Sequence, residues 1–367
     1  MRPCIGACAL LLVLVPARAT AAELASAEDI FQLVSTAVAV GDTDETTARQ
    51  VKNVQPAEQL AGEAIEMLKG QGAGPLTLGA LDELRARSAT LPPPPRPVVV
   101  VDAGLSPEQQ SALLAKITQY ATGYVSTLPN MSCTETTRFS GSGQQSGHHG
   151  SRRAQARLPD GWRLEDTVVE AVDYYEGTET YHTKTLNGAP DTRPLDEIRS
   201  EYSRGEFGTI LDITFAPSSQ ARFQWDHWES LRGRRVAVFG YSIDRAHSQY
   251  WVCCVAAGTV DVGGVRRQQN KRWLSAYRGF VYADADSGSI VRFTFRNVEI
   301  PQSYDLQDAR NLLEYSTVTL GGKSFWLPAR AVHYTRTAKG RTRDEIRFSN
   351  YRKFGADTNI TFPTGDK

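Results

Sequence analysis

Apolar positions recur along this chain at two periods, and the change from one to the other divides it. Between Ala22 and Leu91 the spacing is helical. Ile30, Leu33, Val34 and Ala37 share one face, Leu60, Ala64, Met67 and Leu68 form a second series, and Leu78, Leu81 and Leu84 a third. Ser26-Ala27-Glu28-Asp29 supplies a capped start for the first helix. Gly70-Gln71-Gly72-Ala73-Gly74-Pro75 forces a tight turn before the third. Pro92-Pro93-Pro94-Pro95-Arg96-Pro97 then ends the helical region, because a proline run holds extended polyproline geometry and acts as a semi-rigid spacer.

Beyond the prolines, Ser106-Pro107-Glu108-Gln109 is a second capped start, and the helix it opens runs to about Tyr124. Its apolar face is Leu113, Ile117, Tyr120, Ala121 and Tyr124. After Cys133 the period falls to two. The clearest hairpin joins Gly279–Asp284 to Ile290–Asn297, with Val291, Phe293 and Phe295 expected on one face. Arg235 to Asp244 reads as a strand with Phe239, Tyr241 and Ile243 on one face and Val236 and Val238 on the other. Lys323–Thr337 and Arg341–Phe354 form another pair, and Asn187-Gly188 marks a tight turn after Thr180–Leu186. Strands this long exceed the usual five or six residues and predict a strongly curved sheet. The fold class is therefore α+β: a long-stranded curved antiparallel sheet, a half-barrel packed with helices, preceded by a small all-α segment.

The first residues assign a compartment. Arg2, an apolar run from Cys4 to Val15, and Ala19-Thr20-Ala21 form the three parts of a cleavable secretory signal, and the run is too short to span a bilayer. The expected organisation is a signal peptide over 1–21, a helical module over 22–91, a Pro-rich linker over 92–105, and the half-barrel domain over 106–367 with its helix at 107–124. Export to the periplasm or outside leaves Cys133, Cys253 and Cys254. Either Cys133 bridges Cys253 or Cys254, or all three are buried thiols. Loss of Arg2 and Arg18 leaves 39 basic side chains against 41 acidic ones, a net −2 that does not favour nucleic acid.

Catalytic and metal-binding patterns are few. The chain has no Gly-x-Ser-x-Gly elbow, no phosphate-binding Gly-x-x-x-x-Gly-Lys loop and no His-Glu-x-x-His pair. His148 and His149 lie in a polar glycine- and serine-rich loop, short of the four ligands of a structural metal site. Asp284-Ala285-Asp286-Ser287-Gly288 has alternating carboxylates, but the chain returns at once to strand, so turn chemistry accounts for them. Asp166, Glu170 and Asp173 recur along one strand-like stretch as solvated edge residues rather than a glycosidase pair. No catalytic residue, metal ligand or cofactor is expected.

Two resemblances add to this. Leu68-x-Gly70-x-Gly72 resembles the helix-hairpin-helix turn whose glycine amides contact DNA phosphates, with Gln71 where that motif carries a hydrophobic residue. A helix ahead of a long meander, with Tyr277-Arg278-Gly279-Phe280-Val281-Tyr282-Ala283-Asp284 leading to Gly288-Ser289-Ile290-Val291-Arg292, resembles the periplasmic lipoprotein-carrier fold of LolA-like, LppX-like and RseB-like proteins over about residues 106–362. The local patterns Leu231-Arg232-Gly233-Arg234-Arg235-Val236 and Phe325-Trp326-Leu327-Pro328 are similar. The whole chain also resembles exported soil-bacterial proteins with no assigned activity. The carrier resemblance implies an exported, non-catalytic envelope protein that carries or senses a lipid or lipoprotein in an apolar cavity. Cavity candidates are Phe239, Tyr241, Ile243, Val291, Phe293 and Phe295, with the aromatic pair Trp225 and Trp228. The strands alternate aromatics with many Arg, Thr and Asp residues, so an envelope protein-protein interaction module with no small ligand is the alternative. The first reading requires a hollow behind those side chains. The second requires a filled core and an exposed apolar patch.

Overall fold

The structure is a computed structural model that describes residues 24–100, 105–143, 162–199, 202, 204–262 and 265–354, without the side chains of residue 100 and residues 253–272. The expected signal segment and the His148-His149 loop lie outside the described residues.

Four helices come first among the described residues: α1 (Ala27–Ala39), α2 (Asp44–Lys52), α3 (Gly62–Gln71) and α4 (Pro75–Ser88). Ser26 caps α1 in a reciprocal capping box with Asp29. The helices share a core around Phe31, Leu68, Leu81 and Leu84. At the glycine turn Gly72 takes a left-handed conformation and ends α3. The first amides of α4, on Leu76 and Thr77, donate to the Asp44 carboxylate at 2.8 Å each. That carboxylate engages two of the N-terminal amides of α4, where the helix dipole favours an anion.

The proline run is held to this helical unit at its start, where the Gln59 amide donates to the Pro92 carbonyl at 2.9 Å. It leads into β1 (Val99–Val100), which pairs with the edge of the main sheet opposite Glu229 and Trp228. Val98 and Val99 are at the same time part of the helical core. Helix α5 (Pro107–Thr127) follows, capped by Ser106 and Gln109 as its sequence requires.

The remaining chain builds the sheet. Strands β2 (Met131–Gly143), β3 (Arg163–Tyr175), β4 (Thr178–Leu186) and β5 (Ala189–Pro190) come first, then the short helices α6 (Leu195–Ile198) and α7 (Thr209–Phe215). After them come β6 (Arg222–Leu231), β7 (Arg234–Ile243), the hairpin β8 (Trp251–Val262) and β9 (Val265–Leu274), and β10 (Ala276–Asp284), β11 (Ile290–Val298), β12 (Leu306–Leu320), β13 (Lys323–Thr337) and β14 (Gly340–Lys353). Twelve strands form one antiparallel sheet in the order β1-β6-β7-β10-β11-β12-β13-β14-β2-β3-β4-β5, and β8-β9 pair separately. The sheet is curved and open. Bulges interrupt the pairing at six strand pairs, among them β12-β13 and β14-β2, and each bends its strand and adds twist.

One bulge corrects a sequence expectation. Ala283 pairs with Ile290 and Tyr282 with Arg292, leaving Val291 as the extra residue. Val291 therefore packs with Val236, Val238 and Tyr282 on one face of the sheet, while Phe293 and Phe295 lie on the other. Strict alternation fails there because a bulged strand places two residues opposite one.

Candidate binding site

The face of the sheet that carries Phe239, Tyr241, Phe293 and Phe295 is covered by α5 and α7. Ile117, Ala121 and Tyr124 of α5 and Leu211 and Phe215 of α7 are buried against it. Of the cavity candidates, Phe239, Tyr241, Ile243, Phe293, Phe295 and Trp228 belong to this one cluster, and Trp225 packs half-buried at its edge. Tyr241 stacks on Phe293 at 5.1 Å, and its hydroxyl donates to the Thr294 carbonyl at 3.0 Å. Trp225 meets Trp228 edge-on at 5.0 Å and Phe239 at 5.4 Å. Val291 faces away from this group.

The space behind these rings is filled. A cavity of about 80 Å³ remains beside Phe295, roofed by Arg204, Glu206 and Ile210 and backed by Asn311, His333 and Ile346. Binding pockets for drug-sized ligands run from roughly 300 to 1,000 Å³. Of the 21 residues of α5 only Ile117, Ala121 and Tyr124 are buried. Its described polar links to the sheet side are Tyr124 Oη to the Trp326 carbonyl at 2.8 Å, Lys116 Nζ to the Asp286 carbonyl, and the Tyr174 hydroxyl to the Val125 carbonyl at 3.4 Å.

Beyond the aromatic region the same face holds buried charge, which corrects one sequence expectation: Glu170, expected on a solvated edge, is 2% exposed. Glu135 and Glu170 are directly opposite on β2 and β3. Arg204 reaches both, at 3.6 Å and 2.9 Å, while its guanidinium lies 3.5 Å from the centre of the Tyr181 ring. Burial raises the Glu135 carboxyl pKa, and the neighbouring Glu206 carboxylate adds to the rise. Like charges opposed across strands are unfavourable, and Arg204 offsets this by facing both carboxylates. Among the described residues no group of three His, Cys, Asp or Glu side chains is arranged to hold a metal ion.

The other expected polar residues are placed apart. Asp166 pairs with Arg199 at 3.0 Å and Asp173 with His182 at 3.6 Å. Asp284 accepts from the Ser287 amide at 2.9 Å and organises its own turn. Cys133 is a buried free thiol, and burial pushes its pKa up to about 12. The side chains of Cys253 and Cys254 lie outside the described ones.

On the opposite face of the sheet the helical unit is seated through a polar seam. Arg292 donates to Glu314 at 2.7 Å and to Gln32 of α1 at 2.6 Å, and Gln32 donates onward to Glu229 at 2.6 Å. His227 closes the chain between Asp226 at 2.6 Å and Glu229 at 3.1 Å. Farther along, Arg343 meets Asp42 at 3.1 Å, and Arg310 donates to the Val38 carbonyl at the C-terminal end of α1 at 2.7 Å, where the helix dipole is negative.

Burial lowers the His227 pKa, but its bonds to Asp226 and Glu229 outweigh that and lift it to about 9. The folded value lies above the unfolded one near 6.5, so the stabilisation is complete below that pH and is lost as pH rises through about 9. Thermal unfolding of the wild type and His227→Gln from pH 6 to 10 is expected to show the largest gap at pH 6 and near convergence at pH 10. A constant gap would refute a charged histidine here.

No family model matches the chain, and no curated protein does so. Several solved structures are similar, three of them as follows. An outer membrane lipoprotein-sorting protein domain from Vibrio parahaemolyticus is 12% identical over 67% of this chain and 93% of its own, with a TM-score of 0.33. A LolA superfamily protein from Nitrosomonas europaea is 10% identical over 66% and 93%, with a TM-score of 0.26. A DUF1329 family protein from Desulfovibrio piger is 10% identical over 68% and 94%, with a TM-score of 0.29. At these scores the likeness carries no argument about a ligand.

Proposed function

We propose that this chain is an exported, non-catalytic binding protein of the cell envelope that takes up the apolar part of a lipid or lipoprotein between the sheet and α5. The observation that supports this most is the cover itself. A wide apolar face lined by Phe239, Tyr241 and Phe293 is closed by the helices α5 and α7 rather than by a second sheet. Strand-to-strand closure would lock the face through a ladder of backbone bonds, whereas a helix held by side chains can lift and leave its own hydrogen bonds intact. The filled interior is the closed state of such a carrier. Among the described residues no helix is long and apolar enough to cross a membrane.

Native mass spectrometry of the mature chain, purified gently from an envelope extract and compared with a delipidated sample, tests the proposal. The expected result is an added acyl-bearing mass that delipidation removes. A bare chain after gentle extraction would overturn the carrier reading and leave protein docking as the role.

A further inference from the structure

The face of the sheet under the helical unit carries a row of arginines at matching register. Arg222 lies opposite Ser242, Ser242 opposite Arg278, Arg278 opposite Arg296, and Arg296 opposite Arg310. Directly paired residues hold their Cβ atoms about 4.5–5.5 Å apart, and like charges so placed repel. The chain answers this repulsion only in part. Asp308 sits 2.7 Å from Arg296 and 2.8 Å from Arg310, the α1 carbonyl of Val38 takes a further bond from Arg310, and Asp244 pairs with Arg222 at the exposed rim. The Arg278 guanidinium has no ion pair or hydrogen bond with any described residue, and Arg296 commits only its Nε.

These arginines border a cleft of about 690 Å³ between the sheet and the helical unit. Its lining contains Arg222, Arg278, Arg296 and Arg310 against one carboxylate, Asp226. Phe280 and Tyr282 supply an apolar floor, and Val38, Ala39 and Gly70 supply small walls. A Cβ added at Gly240 would make ordinary contact with the Phe280 ring at 3.7 Å and the Gln224 carbonyl at 4.0 Å, so a side chain there can be accommodated.

We propose that this cleft is a binding site for a phosphate or phosphodiester group carried by a molecule larger than the bare ion. Planar guanidinium forks recognise oxyanions through paired N–H bonds. The uncommitted donors of Arg278 and Arg296, on directly paired strands, outnumber the two oxygens of a carboxylate and suit a tetrahedral group with three or four acceptor oxygens. The volume exceeds what inorganic phosphate fills and falls within the range of small-molecule sites. The aromatic floor favours a ligand with an apolar or ring-bearing part next to its charge. This site lies on the opposite face from the apolar region under α5, so the two readings stand or fall separately.

The test uses the full mature chain and two probes, inorganic pyrophosphate by titration calorimetry and phosphatidylglycerol vesicles by co-sedimentation, with phosphatidylcholine vesicles as the neutral comparison. Variants are Arg278→Gln, which removes the unpaired fork, Gly240→Leu, which fills the floor, and Arg87→Gln on the exposed face of α4 as a charge control. Losing one charged hydrogen-bond donor weakens binding about tenfold or more. The expected result is binding of at least one anionic probe, weakened about tenfold in both cleft variants and unchanged in Arg87→Gln. Pyrophosphate binding identifies a free phosphorylated molecule, and binding of phosphatidylglycerol vesicles alone identifies a lipid headgroup. No binding of either probe, equal binding by Arg278→Gln, or an equal loss in Arg87→Gln would each overturn the proposal.

Discussion

Replacing Glu314 with alanine is expected to destabilise the folded chain by about 3–5 kcal/mol, the range for breaking one side of a buried ion pair. Glu314 is 5% exposed and its partner Arg292 is 3% exposed. Arg232 at 3.3 Å and Arg330 at 3.6 Å also face the carboxylate, so its removal leaves three guanidiniums with a shared deficit. The surrounding arginines hold the Glu314 pKa below its ordinary value against the upward pull of burial. The damage should spread to the helical unit, because Gln32 of α1 is bonded to the same Arg292. Urea unfolding followed by circular dichroism measures it. The double replacement Arg292→Met with Glu314→Leu should recover much of the loss, since an apolar pair of similar volume removes the stranded charge. A cost below about 1 kcal/mol for Glu314→Ala would mean that water reaches the pair, because solvated ion pairs contribute little, and that the helical unit does not sit on this face.

Phe293→Ala is expected to cost a similar amount, about 3–5 kcal/mol, by a different route. The ring is fully buried, stacks on Tyr241 and lies 6.3 Å from Phe295. Its removal forfeits burial and leaves a void that strands on either side cannot collapse to fill. If the face under α5 accepts apolar ligands, a long-chain fatty acid should restore part of the lost stability in thermal unfolding, since a ligand that binds only the folded state raises the transition. A loss under about 1.5 kcal/mol would show that the interior is looser than this packing implies.

The two replacements also separate what could be read in the chain from what could not. Phe293 announces itself locally: it alternates with polar neighbours in a strand bounded by turn residues, so its burial follows from period alone. Glu314 does not. It falls in the sequence Leu312-Leu313-Glu314-Tyr315, where its burial depends on Arg292, which faces it from the neighbouring strand β11, and on Gln32, which comes from a helix nearly three hundred residues earlier. No local pattern encodes that meeting. Glu135 and Arg204 were missed, and Glu170 was assigned to a solvated edge, for the same reason, although two glutamates on the inward face of neighbouring strands are a signal once the register is known. Val291 was assigned to the wrong face because a bulge is a property of paired strands.

By itself the sequence determined the local elements: the capped starts at Ser26 and Ser106, the hairpin turns, and the long alternating strands that require a curved sheet. These depend on interactions among residues a few positions apart, which propensity, capping and alternation report directly. Only the tertiary structure decided that α5 and α7 fill the aromatic face, that the helical unit returns to cover the other, and that Arg222, Arg278, Arg296 and Arg310 line up across it. Those outcomes rest on register and on the docking of distant segments. A shift of one residue in any strand would send each of its side chains to the opposite face.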